Sequence, residues 1–403
     1  MSPRHQRNLT RRKLMFALGG AAVAIPAGAA IAPFALADQP GDTGGDKTRA
    51  ASGSLPVTVV NNSRSFDNGS VNVYVVGNVD GKQVRLKQDG TLAPIAVSDN
   101  GADGFTDYAI PLAGSGETKL SLPFMSGRIY VSLGDKLKMK AVTDGNGDAA
   151  LQFPAGWVES DPNFGVLHDC AEFTYNASGM FCNTTMVDMF SVPMSIRLTG
   201  EKDQTTGGIR DGGRAAAFAA VKEVAEFSKL VVDDKRIIAP GHGLDAGLFA
   251  KDYFAPYIDE VWSTFTGKDL KITTNAGTFT GRVRGDRFTF DGPASVSFAK
   301  PSTRDVLFCD GNLAAPNDGT TGPVAAVLGA GFNRSTLLTD TAQPSTDPAA
   351  FYQGELTNHY SKAIHAATKD GKAYGFAFDD VADFASFIQD TAPSGFTLTL
   401  TAF

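Results

Sequence analysis

The feature that most constrains this chain is the placement of its alternating segments. Strand-like patterns open and close the region after residue 54 and enclose a stretch with helical spacing. "LPVTVVNNS" from Leu55 and "VNVYVVGNV" from Val71 alternate or run apolar and stop in Asn/Gly turns, as strands with a buried face do. "GRIYVSLGDKLKMKAV" reads as another strand pair turning at Gly134-Asp135. After Gly200 the period changes. Arg214 to Leu230 sets Ala217, Val221, Val224 and Ser228 on one helical face, and Pro256 to Phe265 suits a second helix with Pro in its first turn. Between them "KLVVDDKRIIAPG" supplies short strands, and "LKITTNAGTFTGRVRGDRFTFDG" returns to hairpins. A third helix at about Asp347 to Ala367 precedes the closing strands "YGFAFDD" and "GFTLTLTAF". The expected fold is mainly β. A barrel or sandwich domain over 55–199, completed by strands at about 370–403, carries a smaller mixed α/β domain over 200–369, with a groove between them.

The segment before residue 55 reads differently. Thr10-Arg11-Arg12-Lys13-Leu14-Met15 precedes a long Ala/Gly stretch, and Ala35-Leu36-Ala37 offers small residues at a cleavage site. Residues 1–37 resemble a bacterial twin-arginine signal peptide; a retained anchor is the other reading, since Leu14 to Ala37 is long enough to span a bilayer. Residues 38–54 lack aromatics and read as a flexible linker. A secreted product with no stable membrane association, and monomeric, is expected. The net charge of −7 and the lack of a basic stripe after residue 50 argue against a nucleic-acid partner. Cys170 and Cys182 flank one turn and are the local candidates for a disulfide, leaving Cys309.

Several chemistries are excluded by motif. The chain has no phosphate-binding or dinucleotide-binding glycine loop, no His-Glu-x-x-His and no nucleophile elbow. His168, His242, His359 and His365 show no metal-site spacing, so neither metal nor cofactor is expected. Asp144 to Asp148 superficially matches a calcium loop, but Ala155 stands where that loop needs Glu, which leaves a hairpin turn. Carboxylates and aromatics remain, as sugar hydrolysis requires. Glu172, between Ala171 and Phe173, has the apolar neighbours that suit a carboxyl acting as general acid, and Asp188 has those of a base acting on water. The alternative is two solvated acids on amphipathic strands. A simple hairpin at Asn176 to Gly179 sets Glu172 opposite about Asn183 and leaves Asp188 roughly 17 Å away. The chain must therefore bend or change strands between Asn183 and Asp188 if the two acids are to meet.

The stretches "LPVTVVNNS", "LPFMSGRIYVSLGDKL", "AEFTYN", "NTTMVDMFSVPMSI", "GGIRDGG", "RIIAPGHGL", "GFNRSTLL" and "DGKAYGFAFDDV" occur in an order that resembles the glycoside hydrolase family 64 β-1,3-glucanases. The resemblance implies a thaumatin-like sandwich beside an α/β domain, a wide acidic groove for linear β-1,3-glucan, and an inverting acid/base mechanism without cofactor. It puts the general acid on Glu172 and the general base on Asp188, with Thr174 and Asn176 contacting glucan hydroxyls. Phe181 stands where the family can carry a tryptophan, which leaves product length open. Tyr175 and Trp157 are candidates to stack on sugars, with a core role the alternative for Trp157. Asp379 and Asp380 either add to the groove's negative field or are solvated at a strand end. A non-catalytic glucan-binding protein is the competing function.

Overall fold

The structure, a computed structural model, describes residues 53–403. The signal-like segment and most of the expected linker lie outside the described residues; the first strand already begins at Ser54. Two sheets form a β-sandwich. One runs Asp203–Thr206, Met194–Thr199, Gly395–Leu400, Ser54–Asn61, Thr118–Pro123. The other runs Phe387–Asp390, Gly179–Thr184, Leu167–Asn176, Met125–Leu133, Val71–Val79, Lys82–Leu86, Leu92–Pro94, with Ile110–Pro111 also paired to Val71–Val79. Strict alternation makes this possible: Leu55, Val57 and Val59 are buried while their neighbours face outward. Their side chains meet Val73, Ile129, Phe173, Ile196 and Leu398 in one apolar layer.

The C-terminal strand locks this layer. Gly395–Leu400 lies between the first strand, which it pairs in parallel, and Met194–Thr199, which it pairs antiparallel. Val59, Leu398 and Ile196 are consequently cross-strand neighbours, all fully buried.

The second core gathers the helices Gly213–Glu223, Ala255–Gly267, Thr321–Asn333 and His359–Ala367. They pack with a five-stranded sheet (Val296–Ala299, Arg287–Asp291, Gly277–Arg284, Leu270–Thr274, Ala342–Gln343) and a three-stranded one (Met189–Phe190, Arg236–Ile238, Val231–Val232). Among the described residues no helix is long and apolar enough to cross a membrane.

Several expectations need correction. "GRIYVSLGDKLKMKAV" is not a hairpin. Met125–Leu133 pairs with Val71–Val79 and Leu167–Asn176, whereas Lys140–Thr143 pairs with Ala149–Gln152 across the Asp144–Asp148 turn. A turn signal at Gly134 marks a change of direction but does not choose the partner. The helix from Arg214 stops at Glu223, where Val224 turns extended; Phe227 and Leu230 then fill the core instead of Ser228. The third helix begins only at His359. "YGFAFDD" is a turn rather than a strand, with Phe378 at φ 69°. Its Asp379 is fully buried, and three partners must gather around that carboxylate, which overrides the apolar alternation. Cys170, Cys182 and Cys309 are free thiols. Cys182 sits opposite Phe173 on the sandwich-core face, whereas Cys170 is three residues from Phe173 and belongs to the other face, so the two thiols point apart.

Because Leu398 is the central contact of the locking strand, Leu398→Ala should lower unfolding free energy by about 2–5 kcal/mol. The denaturant midpoint should fall with an unchanged slope, as for loss of core packing in an intact fold.

Candidate active site

The strand Leu167–Asn176 turns Ala171, Phe173 and Tyr175 into the sandwich and Cys170, Glu172 and Thr174 to its other face. On that face Glu172 is registered between Arg128 on one neighbouring strand and Asn183 on the other. Arg128 donates to Oε1 of Glu172 from both Nε (3.0 Å) and Nη2 (2.7 Å). Oε2 receives only a long 3.4 Å contact from Asn183 Nδ2. One oxygen of this carboxyl is therefore committed, and the other is the freer.

Asp188 arrives from a different sheet. The chain leaves Gly179–Thr184, turns through Thr185–Val187, and enters Met189–Phe190 of the three-stranded sheet. This is the change of strand that the simple hairpin lacked. The turn is held on every side. Tyr374 O accepts from Met186 N, and Tyr360 Oη donates to Met186 O at 2.6 Å. Beyond it, Asp169 Oδ2 accepts from the N–H groups of Ser191 and Val192 at 2.8 and 3.1 Å. Asp188 itself accepts on its backbone O from Ala239 N at 3.0 Å and on Oδ1 from His242 Nε2 at 2.8 Å.

Arg128 joins the two acids. Its Nη1 stands 3.8 Å from Asp188 Oδ2 while Nη2 holds Glu172. One planar guanidinium reaching both places the nearest carboxyl oxygens within about 9 Å of each other, close enough for paired catalytic carboxylates. Burial alone would lower Arg128, but Tyr130, Glu172, Cys170 and Asp188 together hold it well above the ordinary guanidinium value. A cavity of about 20 Å³ adjoins Asp188, lined by Arg128, Tyr130, Trp157, Thr185 and others. It has room for about one water. Trp157 borders it and stacks on His242, with ring centroids 4.5 Å apart.

The other expected site residues divide. Thr174 and Phe181 are cross-strand neighbours on the Glu172 face, and Thr174 Oγ1 accepts from Ser126 Oγ. Asn176 lies exposed at the end of the same row, its Oδ1 bonded to Ser178 N. Tyr175 does not join them: it points into the sandwich core and packs edge-on against Phe124. Asp379 is also excluded, since Arg334, His365 and the Gly375 N–H take its oxygens at 3.0, 2.8 and 2.9 Å. Burial would raise Asp379, yet His365 and Arg334 hold it below the usual carboxylate value.

Asp380 does approach the site. Tyr374 is hydrogen-bonded to it and feels the charge of Glu172; burial first, then these acids, push that phenol well above its ordinary value. Burial, with Asp379 adding to it, pushes Asp380 up to about 6. Arg128, His242 and Tyr374 are site residues that the sequence reading missed. A lone Arg inside "GRIYVSL" was the available signal, because a buried guanidinium demands a carboxylate. Among the described residues no group of three or more His, Cys, Asp or Glu side chains is arranged to hold a metal ion.

Comparison with known proteins bears on this geometry. Residues 53–400 match the family model of glycoside hydrolase family 64, described as beta-1,3-glucanase. The chain is 34% identical over 370 residues to glucan endo-1,3-beta-glucosidases of Cellulosimicrobium cellulans and of Arthrobacter sp. (strain YCWD3), covering 88% of this chain and 66% of each relative. It thus spans just under two thirds of the length of those relatives. Its fold superposes on a laminaripentaose-producing beta-1,3-glucanase in complex with laminaritetraose, with TM-score 0.79, 34% identity, and 87% of this chain and 99% of that chain covered. A family 64 beta-1,3-glucanase domain from Clostridium beijerinckii gives TM-score 0.76 at 29% identity, covering 88% and 100%.

Asp380 makes stability depend on pH with a definite sign. Its carboxyl ionises near 3.8 in the unfolded chain but near 6 in the folded one, so the folded state loses stability as pH rises through that window. Asp380→Asn should match the parent in Tm below pH 4, gain on it between pH 4 and 6, and hold a constant advantage above.

Proposed function

The chain belongs to glycoside hydrolase family 64, and we propose that it is a secreted β-1,3-glucanase that cleaves laminarin- or curdlan-type glucan by an inverting acid/base mechanism. The observation that carries this reading is the pair of acids, Glu172 on a sandwich strand and Asp188 just before the strand Met189–Phe190 of another sheet, both reaching one largely buried Arg128. In this mechanism Glu172 gives its proton to the glycosidic oxygen as the bond from that oxygen to the anomeric carbon breaks. Asp188 takes a proton from the water whose oxygen bonds to that carbon from the opposite face. One water is consumed, Glu172 ends ionised and Asp188 protonated, and proton exchange with solvent restores both. The water-sized cavity beside Asp188 suits the attacking water, and the surplus of acids around one Arg suits a transition state that is cationic at carbon.

Thr174, Phe181 and Asn176 continue the row from Glu172 and are proposed to line the glucan, with Phe181, beside Thr174, offering a smaller face than tryptophan. Asp380, beside Tyr374, is proposed to add negative field. The sandwich is read as thaumatin-like, and short oligosaccharides such as laminaripentaose as the products. The Arg11-Arg12 and Ala35 to Ala37 signals support export.

Incubation with laminarin or curdlan should release reducing sugar; binding without release would leave a glucan-binding protein instead. Glu172→Gln and Asp188→Asn should each lose roughly 100- to 10,000-fold in kcat while still binding glucan, and near-parental turnover in either would remove that residue from its role. NMR of the first product should show the α-anomer; a β-anomer would mean retention.

A further inference from the structure

His242 is the feature of the site that the acid/base pair does not by itself require. The short helix Pro240–Asp245 follows directly on Arg236–Ile238, the strand that pairs with Met189–Phe190. The two segments are pinned twice, by Ala239 N to Asp188 O and by His242 Nε2 to Asp188 Oδ1. An ionised carboxylate only accepts, so Nε2 carries the proton in this bond. The imidazole is buried between the stacked ring of Trp157 and the edge of Phe308, and its Nδ1 is buried without a hydrogen-bond partner. A buried imidazole with a single polar bond is poor packing material: an apolar ring would fill the slot without desolvating two nitrogens. Its specific contribution is the bond to Asp188.

Resting on the reading of Asp188 as general base, we propose that His242 is the positioning residue of that base. It takes Oδ1 and thereby fixes the rotation of the carboxyl, turning Oδ2 toward Arg128 as the oxygen that receives the water proton. The charged and titratable groups around His242 are few. Asp188 faces it directly, with Arg128 beyond Asp188 and Glu172, Tyr130 and Cys170 around that guanidinium. His168 and Asp169 line the adjoining cavity. On its own helix, Asp245 is taken by Arg304, which lies over Phe308.

Two substitutions separate the donor from the ring. His242→Phe keeps an aromatic between Trp157 and Phe308 and removes the bond; His242→Gln loses the ring and keeps an N–H that can reach Asp188. Steady-state kinetics on laminarin across pH 4–9, with Tm as a check on folding, should show His242→Phe reduced roughly 100-fold in kcat with KM within twofold. His242→Gln should recover most of kcat. Parental kcat in a folded His242→Phe overturns the proposal. So do equal losses in both folded variants, which would assign His242 to packing. Asp188→Asn run alongside tells the two readings apart. If it is inactive while His242→Phe is normal, only the positioning role falls; if it is active, the base assignment falls first.

Discussion

The site depends on one largely buried cation. Arg128 lies in a sandwich strand with its guanidinium on the side away from the sandwich core, where two carboxylates from different sheets converge on it. Moving each charge out of water costs several kcal/mol, and only good geometry offsets that. Here the geometry is unequal by design of the register. Glu172, directly opposite on the paired strand, takes two N–H bonds on one oxygen, while Asp188 is reached only at 3.8 Å. With Arg128 absent, the two buried acids would keep only the bonds from His242 and Asn183, and the sheet change between Thr184 and Met189 would bring together like charges without a countercharge. The guanidinium is thus both the electrostatic centre and the reason the two units can meet at this point.

Specific polar contacts also fix the segments around that centre. Asp169, three residues before Glu172 on the same strand, holds the amides that follow Asp188, so one strand positions both acids. Arg334, Asp379 and His365 form a second buried network beneath the turn that presents Tyr374 and Asp380, with His365 stacked on Phe384. Removing one member of such a network costs on the order of 3–5 kcal/mol, because it leaves a buried charge unmatched. This network does not touch Glu172 or Asp188 but holds the turn that carries Tyr374 and Asp380.

What was legible in the sequence follows from the physics of each element. The strand from Leu55 and the hairpins between Leu270 and Asp291 have one wet and one dry face, so their period was readable. The helix Thr321–Asn333 is buried on nearly every side and carries no polar stripe, so its period left no trace. Thr303–Phe308 did carry a signal, the Ser302 and Asp305 capping box, but is too short to show a face. Glu172 and Asp188 were visible as acids in apolar company, yet their meeting was not, because it depends on a change of sheet that no local pattern encodes. His242 was invisible as a site residue for the same reason: its partner lies 54 residues away. Asp379 and Asp380 looked alike in sequence, and only the turn in the backbone separates a fully paired structural acid from one beside the site.

The asymmetry of the cluster bears on how an acid can work next to a guanidinium. A carboxyl paired on both oxygens would have nowhere to carry a proton, but Arg128 commits only Oε1 of Glu172. Oε2, met by Asn183 alone and at 3.4 Å, is the oxygen that can hold a proton without breaking the Arg128 bonds. Asp188 shows the complementary arrangement: His242 commits Oδ1, and Oδ2 has only the distant Nη1. Each acid therefore has one oxygen spent on position and one left for chemistry. The oxygens spent on position are held by separate donors, Arg128 for one and His242 for the other. A change that weakens one carboxyl's fixed bond need not disturb the other's, and under the proposed mechanism this separation would let the two acids serve opposite proton transfers.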